Sequence, residues 1–205
     1  MCNLYRMKSK AAEVAQLFEA EPPAAESNLS ELVYPGYPAM VVAGGKVQTM
    51  HWGFPLIRRG KSGQLLKPKP VNNTRADKLS SPFWRSSFEH RRCLIPVNAF
   101  AEAEGTKGAK TKTWISLPDQ EIFACAGIWR ESEEWGCVFS MVMTEANEAM
   151  APIHSRMPVI LDADQSSAWS SENVTDVLSI CRPYSGELAI DRSNTSWGQQ
   201  QETLF

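Results

Sequence analysis

The second residue of the chain is a cysteine, Cys2, directly after the initiator Met1. A small second residue permits an aminopeptidase to remove the methionine. Cys2 then carries an α-amine and a thiol on adjacent carbons, with ordinary pKa values of ~7.7–8.0 and ~8.5, both partly deprotonated near neutral pH. Such a 1,2-aminothiol condenses with an aldehyde and closes a five-membered thiazolidine ring. The same position also fits a frayed chain end.

Further polar residues have types and surroundings suited to chemistry. His154 lies in Pro152-Ile153-His154-Ser155-Arg156-Met157-Pro158, where flanking prolines restrict the backbone around a side chain suited to proton transfer near pH 7. A structural loop histidine bonded to backbone fits the same context. Glu102 follows the run Arg91–Val97, and strand alternation puts it on one face with Phe100 and Glu104. A carboxyl turned inward there has a raised pKa and serves as a general acid or base, whereas an ordinary strand-end glutamate reads identically. In Asn72-Asn73-Thr74-Arg75, an Asn can orient a bound group by donating and accepting hydrogen bonds, and Arg75 can pair with phosphate. The segment reads equally as a cap for a following helix. Trp52, in Trp52-Gly53-Phe54, and Trp84 are either stacking platforms for bases or core aromatics.

Charge is unevenly distributed around these residues. The net charge is -2, yet ten of the 21 Lys and Arg lie between Arg58 and Arg92 (Arg58, Arg59, Lys61, Lys67, Lys69, Arg75, Lys78, Arg85, Arg91, Arg92), opposed there only by Asp77 and Glu89. A basic block in an otherwise acidic chain suits a surface that tracks phosphates, or a solvated loop.

The elements that must position these groups follow from periodicity. Residues 8–19 place Ala11, Val14, Ala15 and Phe18 on one helical face, and Pro22-Pro23 end the helix. Ala39–Ala43 and Lys46–Phe54 flank Gly44-Gly45, a two-residue hairpin signal. Residues 55–72 show no clear period and read as a long surface loop, a type often functional. Pro82–Phe88 reads as a short helix, as do Ala146–Ala151 and Glu172–Ile180. Strand-like runs cover Cys93–Val97, Thr113–Leu117, Ile122–Trp129, Trp135–Met143 and Met157–Leu161. Their connections are too short for parallel crossovers. The expected fold is therefore α+β, a single domain over residues 1–205 with a mainly antiparallel, barrel-like β core and peripheral helices.

Composition bounds the rest. A hydrophobic fraction of 43% and a charged fraction of 21% are those of a globular protein. No apolar run approaches the ~18 residues of a membrane span, and no apolar leader precedes the first helix. A cytoplasmic protein is expected, beside the nucleoid in a bacterium. The five cysteines (Cys2, Cys93, Cys125, Cys137, Cys181) form no C-x-x-C pair, so neither a disulfide framework nor a zinc site is expected.

In order, five segments resemble the SRAP family, the SOS response-associated peptidase-like proteins. They are Met1-Cys2; Trp52-Gly53-Phe54; Asn73-Thr74-Arg75-Ala76-Asp77; Arg91-Arg92-Cys93-Leu94-Ile95-Pro96 with Phe100-x-Glu102; and Ile153-His154-Ser155-Arg156-Met157-Pro158-Val159-Ile160-Leu161. They span residues 2 to about 161. The resemblance implies binding of single-stranded DNA and covalent capture of abasic sites. It implies Cys2 as nucleophile, with Asn73, Glu102 and His154 lining its pocket and Arg75 on the DNA backbone. Arg58, Arg59, Lys61, Lys67, Lys69 and Trp52 complete the expected DNA-binding set. Neither metal nor organic cofactor is implied, and a monomer is expected. The chain departs from the family pattern at Cys2-Asn3-Leu4, where Cys-Gly-Arg is common, and at Ala99-Phe100-Ala101-Glu102-Ala103, a thinned form of G-F-Y-E-W. Two other functions use some of the same residues. One is a cysteine peptidase using Cys2 and His154, including self-removal of Met1; the other is a non-covalent single-strand binding module, which leaves Cys2, Glu102 and His154 idle.

Overall fold

The structure, a computed structural model, describes residues 2–25, 27–171 and 177–198. In chain order its elements are β1 (Tyr5–Arg6), α1 (Ala11–Leu17), β2 (Leu32–Val33), β3 (Pro38–Ala43), β4 (Lys46–Trp52), β5 (Phe54–Arg59), β6 (Leu65–Val71) and β7 (Asn73–Arg75). Then come α2 (Arg85–His90), β8 (Arg92–Val97), β9 (Ala99–Glu104), β10 (Thr111–Ser116), β11 (Phe123–Ser132), β12 (Gly136–Glu145), β13 (Arg156–Pro158), β14 (Ile160–Leu161), α3 (Ala163–Ser170), α4 (Val177–Ile180) and β15 (Ala189–Ser196).

Five strands close on themselves. The order β12-β4-β3-β8-β11 returns to β12 through the β11–β12 pairing, with β7, β13 and β14 attached outside the ring. Only the β4–β12 contact of the ring is parallel, at Val138↔His51 and Phe139↔Trp52. Closure removes the exposed edges that an open sheet would carry. A second, wholly antiparallel sheet runs β15-β10-β9-β1-β2. The expected α+β class with an antiparallel, barrel-like core is the observed one.

Two turns show why particular glycines stand where they do. Gly44 and Gly45 have φ of +57° and +72°, the pair of left-handed residues that a two-residue hairpin between β3 and β4 requires. Gly53 has φ +131°, and a Cβ there would lie 2.4 Å from the Pro70 Cβ. Only glycine lets the chain leave the barrel at Trp52 and start β5 so close to β6.

Some expectations change. Residues 55–72, read as loop, form the β5–β6 hairpin, a separate two-stranded sheet with register Phe54↔Val71 and Leu56↔Lys69. Both faces of this ribbon are largely exposed, so no period-two burial pattern marks it, and prolines 55, 68 and 70 are tolerated where few ladder bonds are needed. Residues 146–151 make turns rather than a helix, with the Asn147 carbonyl accepting the N–H groups of Met150 and Ala151 and its Oδ1 also taking that of Met150 at 2.9 Å. The first helix is shorter than the periodic stretch, Ala11–Leu17. Of the helix expected over Glu172–Ile180, α4 covers 177–180, and 172–176 lie outside the described residues.

One large apolar cluster runs from Cys2 to Leu188 and fills the barrel and the space under its helices. Trp169 of α3 is wholly buried and donates its indole N–H to the carbonyls of Cys93 and Gly127, both at 3.1 Å. A smaller cluster of Leu4, Ala99, Ala101 and Trp114 lies on the other face of the second sheet.

Candidate active site

The chain start is laid along β9. Tyr5 opposes Phe100, Arg6 opposes Ala99, and Ala101 N–H donates to the Leu4 carbonyl at 2.9 Å. A regular antiparallel ladder would next turn the Cys2 carbonyl toward the Ala103 N–H. Instead that oxygen accepts the side-chain amides of Asn73, at 2.6 Å, and Asn72, at 2.9 Å. The ladder is thereby broken at Cys2. Consistent with this, Cys2 packs in the main core with Tyr5, while Leu4, two residues on, belongs to the cluster on the opposite face.

Cys2 is 0% exposed, and its thiol points back to the Leu4 carbonyl at 3.5 Å. Burial, and secondarily the nearby Glu102 carboxylate, push the thiol well above its ordinary pKa, so it is held as S–H. Glu102 is 5% exposed on β9, opposite Thr113 of β10. Burial raises its carboxyl from 4.5 to about 6. The alternation argument for an inward Glu102 therefore describes its place in the fold.

His154 follows the 148–153 turns, half-buried. Its Nδ1 lies 3.0 Å from the Arg156 backbone nitrogen and 3.3 Å from the Arg156 carbonyl, and the shorter contact, with the N–H donating to the ring, favours the tautomer protonated on Nε2. Burial lowers its pKa, favouring that neutral form. Lys110, at the start of β10, presses on both groups: its charge holds the Glu102 carboxyl down and disfavours protonation of His154. The structure thus bonds Asn73 directly to Cys2 and sets Glu102 within electrostatic reach of the thiol, with His154 sharing Lys110 as a charged neighbour. Asn3 and Lys110 escape the sequence reading, because nothing in their spacing ties them to Cys2, and the sequence does not distinguish Asn72 from Asn73 as the orienting amide.

Arg75 leaves β7 half-exposed and forks onto Asp77, with Nε to Oδ1 at 2.7 Å and Nη2 to Oδ2 at 2.5 Å. It borders a groove of about 590 Å³ shared with Arg156 and Arg182. Arg58, Arg59, Lys67 and Lys69 are exposed on the β5–β6 hairpin and Lys61 on its turn. Exposed Leu56, Ile57 and Leu65 accompany them.

Trp52, expected to contact DNA, is wholly buried. Its ring meets Tyr5 edge-on at 4.9 Å and stacks with Phe139 at 6.4 Å, and its Nε1 donates to the Asn72 carbonyl at 2.8 Å. Trp52 is the last residue of β4, paired with Phe139 of β12 in the barrel wall, so the indole is part of the core and not a platform for a base. Trp84 is likewise packed against Phe54 and Phe83. Arg92 also leaves the basic surface, since its guanidinium donates to the carbonyls of Trp169, Phe88, Glu89 and Ser171.

Among the described residues no group of three or more His, Cys, Asp or Glu could hold a metal ion, and no helix is long and apolar enough to cross a membrane.

"Abasic site processing protein YoqW" of Bacillus subtilis (strain 168) is 27% identical over 206 residues, covering 91% of this chain and 89% of its own. "Abasic site processing protein YMR114C" of Saccharomyces cerevisiae is 22% identical over 143 residues, 64% of this chain and 39% of its own. Crystal structures of proteins from Bacteroides thetaiotaomicron and Bordetella bronchiseptica share the fold, each at TM-score 0.77 and 21% identity. They cover 93% and 94% of this chain, and 91% and 99% of their own. The family model described as SOS response associated peptidase (SRAP) matches residues 1–196, and the chain belongs to that family.

Proposed function

We propose that this protein processes abasic sites in single-stranded DNA, capturing the lesion covalently through Cys2 once Met1 is removed. The observation that carries the reading is the held Cys2: a fully buried cysteine, its carbonyl clamped by two amides, within electrostatic reach of a carboxyl raised to about 6. The names of the matched relatives agree with it.

An abasic sugar exists partly as its ring-opened C1′ aldehyde. The neutral α-amine of Cys2 adds to that carbon, and the carbinolamine loses its hydroxyl as water, leaving a C=N bond. Protonated Glu102 supplies the proton that leaves with the water. The Cys2 sulfur then bonds to the same carbon, and the C=N electron pair returns to nitrogen. Nitrogen keeps its one proton through the iminium, and Glu102, now ionised, takes the thiol proton, so the ring closes with no net change in protons beyond the water lost. A carboxyl with a pKa of about 6 serves both directions at neutral pH. His154, neutral with its proton on Nε2, donates a hydrogen bond to the sugar ring oxygen and favours opening. Asn73 keeps the amine and thiol in one orientation through the Cys2 carbonyl.

A single strand suits this reaction because turning the damaged nucleotide toward Cys2 costs least without a paired partner. Strand β6 carries Lys67 and Lys69 and runs directly into Asn72 and Asn73, so phosphates tracked along the hairpin lead to Cys2. Arg75 supports the backbone at the other end of the same segment.

Intact mass spectrometry before and after incubation with an abasic single strand tests the reading. A denaturant-stable adduct is expected on protein lacking Met1. The same adduct formed by Cys2→Ala would overturn it. Cys2→Ser, which keeps the amine, should retain only the reducible imine.

A further inference from the structure

We infer that Asn72 is a second positioning residue for Cys2, oriented by the side chain of Asn3, and that this pair is a device of this chain additional to Asn73. The inference rests on the covalent-capture reading for its consequence and on geometry for its existence.

The geometry is unusual for a strand. Asn72 and Asn73 are neighbours, and successive side chains of an extended chain point to opposite faces. Here both amides converge on one oxygen, the Cys2 carbonyl. The pleat is interrupted to allow it: β6 ends at Val71 and β7 begins at Asn73, with Asn72 in neither. The Asn72 backbone is pinned in this break, its carbonyl accepting the Trp52 indole N–H at 2.8 Å and the Met141 N–H at 2.9 Å. The buried Trp52 therefore sets the position from which the Asn72 side chain reaches out.

The same Asn72 Nδ2 also donates to Asn3 Oδ1 at 3.1 Å. An amide nitrogen has two protons, so one meets each acceptor and the orientation of the group is determined. Both lone pairs of the Cys2 carbonyl are then occupied. Two donors on this oxygen draw electron density from the residue that bears the α-amine, which favours the neutral, nucleophilic amine. They also hold the Cys2 peptide plane, so the amine and thiol are presented in one geometry. Asn72 acts only through Cys2.

The test uses protein freed of Met1 by an aminopeptidase, with two aldehydes: glyoxylate, read as a mass shift on the N-terminal peptide, and an abasic single-stranded oligonucleotide. Rates are measured across pH. Asn72→Leu removes the donor and should slow ring formation with both aldehydes by about 5–10-fold near pH 7, the scale of one hydrogen bond. It should also move the pH midpoint of the rate upward. Asn72→Asp keeps the shape, replaces a donor by a negative charge that favours the ammonium form, and should shift the midpoint further. Asn3→Ala should slow the reaction about 2-fold and add nothing to Asn72→Leu, as members of one network do. Wild-type rate and midpoint in Asn72→Leu would overturn the inference. So would slowing with a lowered melting temperature and an unmoved midpoint, the mark of a merely structural residue. Should Asn72→Leu fail to fold, Asn72→Asp and Asn3→Ala decide by the same criteria. Wild-type protein that captures glyoxylate but not the abasic strand would instead refute the DNA reading, and the glyoxylate series would still decide on Asn72.

Discussion

The side-chain amide of Asn73 donates to the backbone carbonyl of Cys2 at 2.6 Å, across 71 positions of sequence. That bond ties the chain start to the strand that follows the basic hairpin, the segment into which the lysine-bearing β6 continues. Asn73 is 7% exposed, with its Oδ1 lacking a partner among the described residues, so the amide is held chiefly by the bond it donates. Replacing it by Leu should lower stability by about 1–2 kcal/mol, the cost of removing a buried hydrogen-bond partner. Ring formation should slow more than ~10-fold, because the carbonyl then keeps only the Asn72 donor. Thermal unfolding and single-turnover capture measure the two effects separately.

Glu102 makes stability depend on pH in an uncommon direction for a carboxylate. Its pKa in the fold, about 6, lies above the ordinary 4.5, so between those values the folded chain binds more protons than the unfolded one. Stability is therefore greatest below about 4.5 as far as this group is concerned, falls as pH rises to about 6, and is flat beyond. The total is about 2 kcal/mol. Glu102→Gln should abolish this slope and leave the neutral-pH protein more stable than wild type, while capture slows at least ~10-fold. A denaturation series from pH 4 to 8 on both proteins checks it.

Removing charge from the hairpin should weaken DNA binding without touching the fold. Lys67 and Lys69 are exposed on β6, and neither takes part in an ion pair among the described residues. The Lys67→Ala/Lys69→Ala protein should bind an intact single strand more weakly. The slope of log affinity against log salt should shrink by about 0.7 for each phosphate that is no longer neutralised. The melting temperature should stay unchanged. An unaltered slope would place the DNA elsewhere.

Gly53 tests the link between barrel and hairpin. Alanine there meets the Pro70 Cβ at 2.4 Å and sits at φ +131°, a region that side chains rarely adopt. Gly53→Ala should cost about 2–3 kcal/mol of stability. Because the strain falls between β4 and β6, it should also disturb Asn72 and slow capture, which calorimetry and the mass assay together would show.

Much of the fold was legible from sequence. Strands β8, β10, β11 and β12 carry β-branched and aromatic residues with buried faces, and Gly44-Gly45 marks its hairpin without ambiguity. These are local signals, set by side-chain periodicity and by the φ that only certain residues accept. The types of the chemical residues were legible for the same reason: Cys2, Glu102 and His154 announce what protons and electrons they can move. What sequence alone could not supply was convergence. Trp52 reads as a platform or a core residue until the closure of five strands buries it. The β5–β6 ribbon carries no burial pattern because it has no covered face. The place of Asn72 and Asn3 beside Cys2 depends on a break in one strand and a ladder abandoned in another. Periodicity reports what each residue prefers, whereas hydrogen bonds across 71 residues exist only once the barrel has closed and brought distant donors to one oxygen.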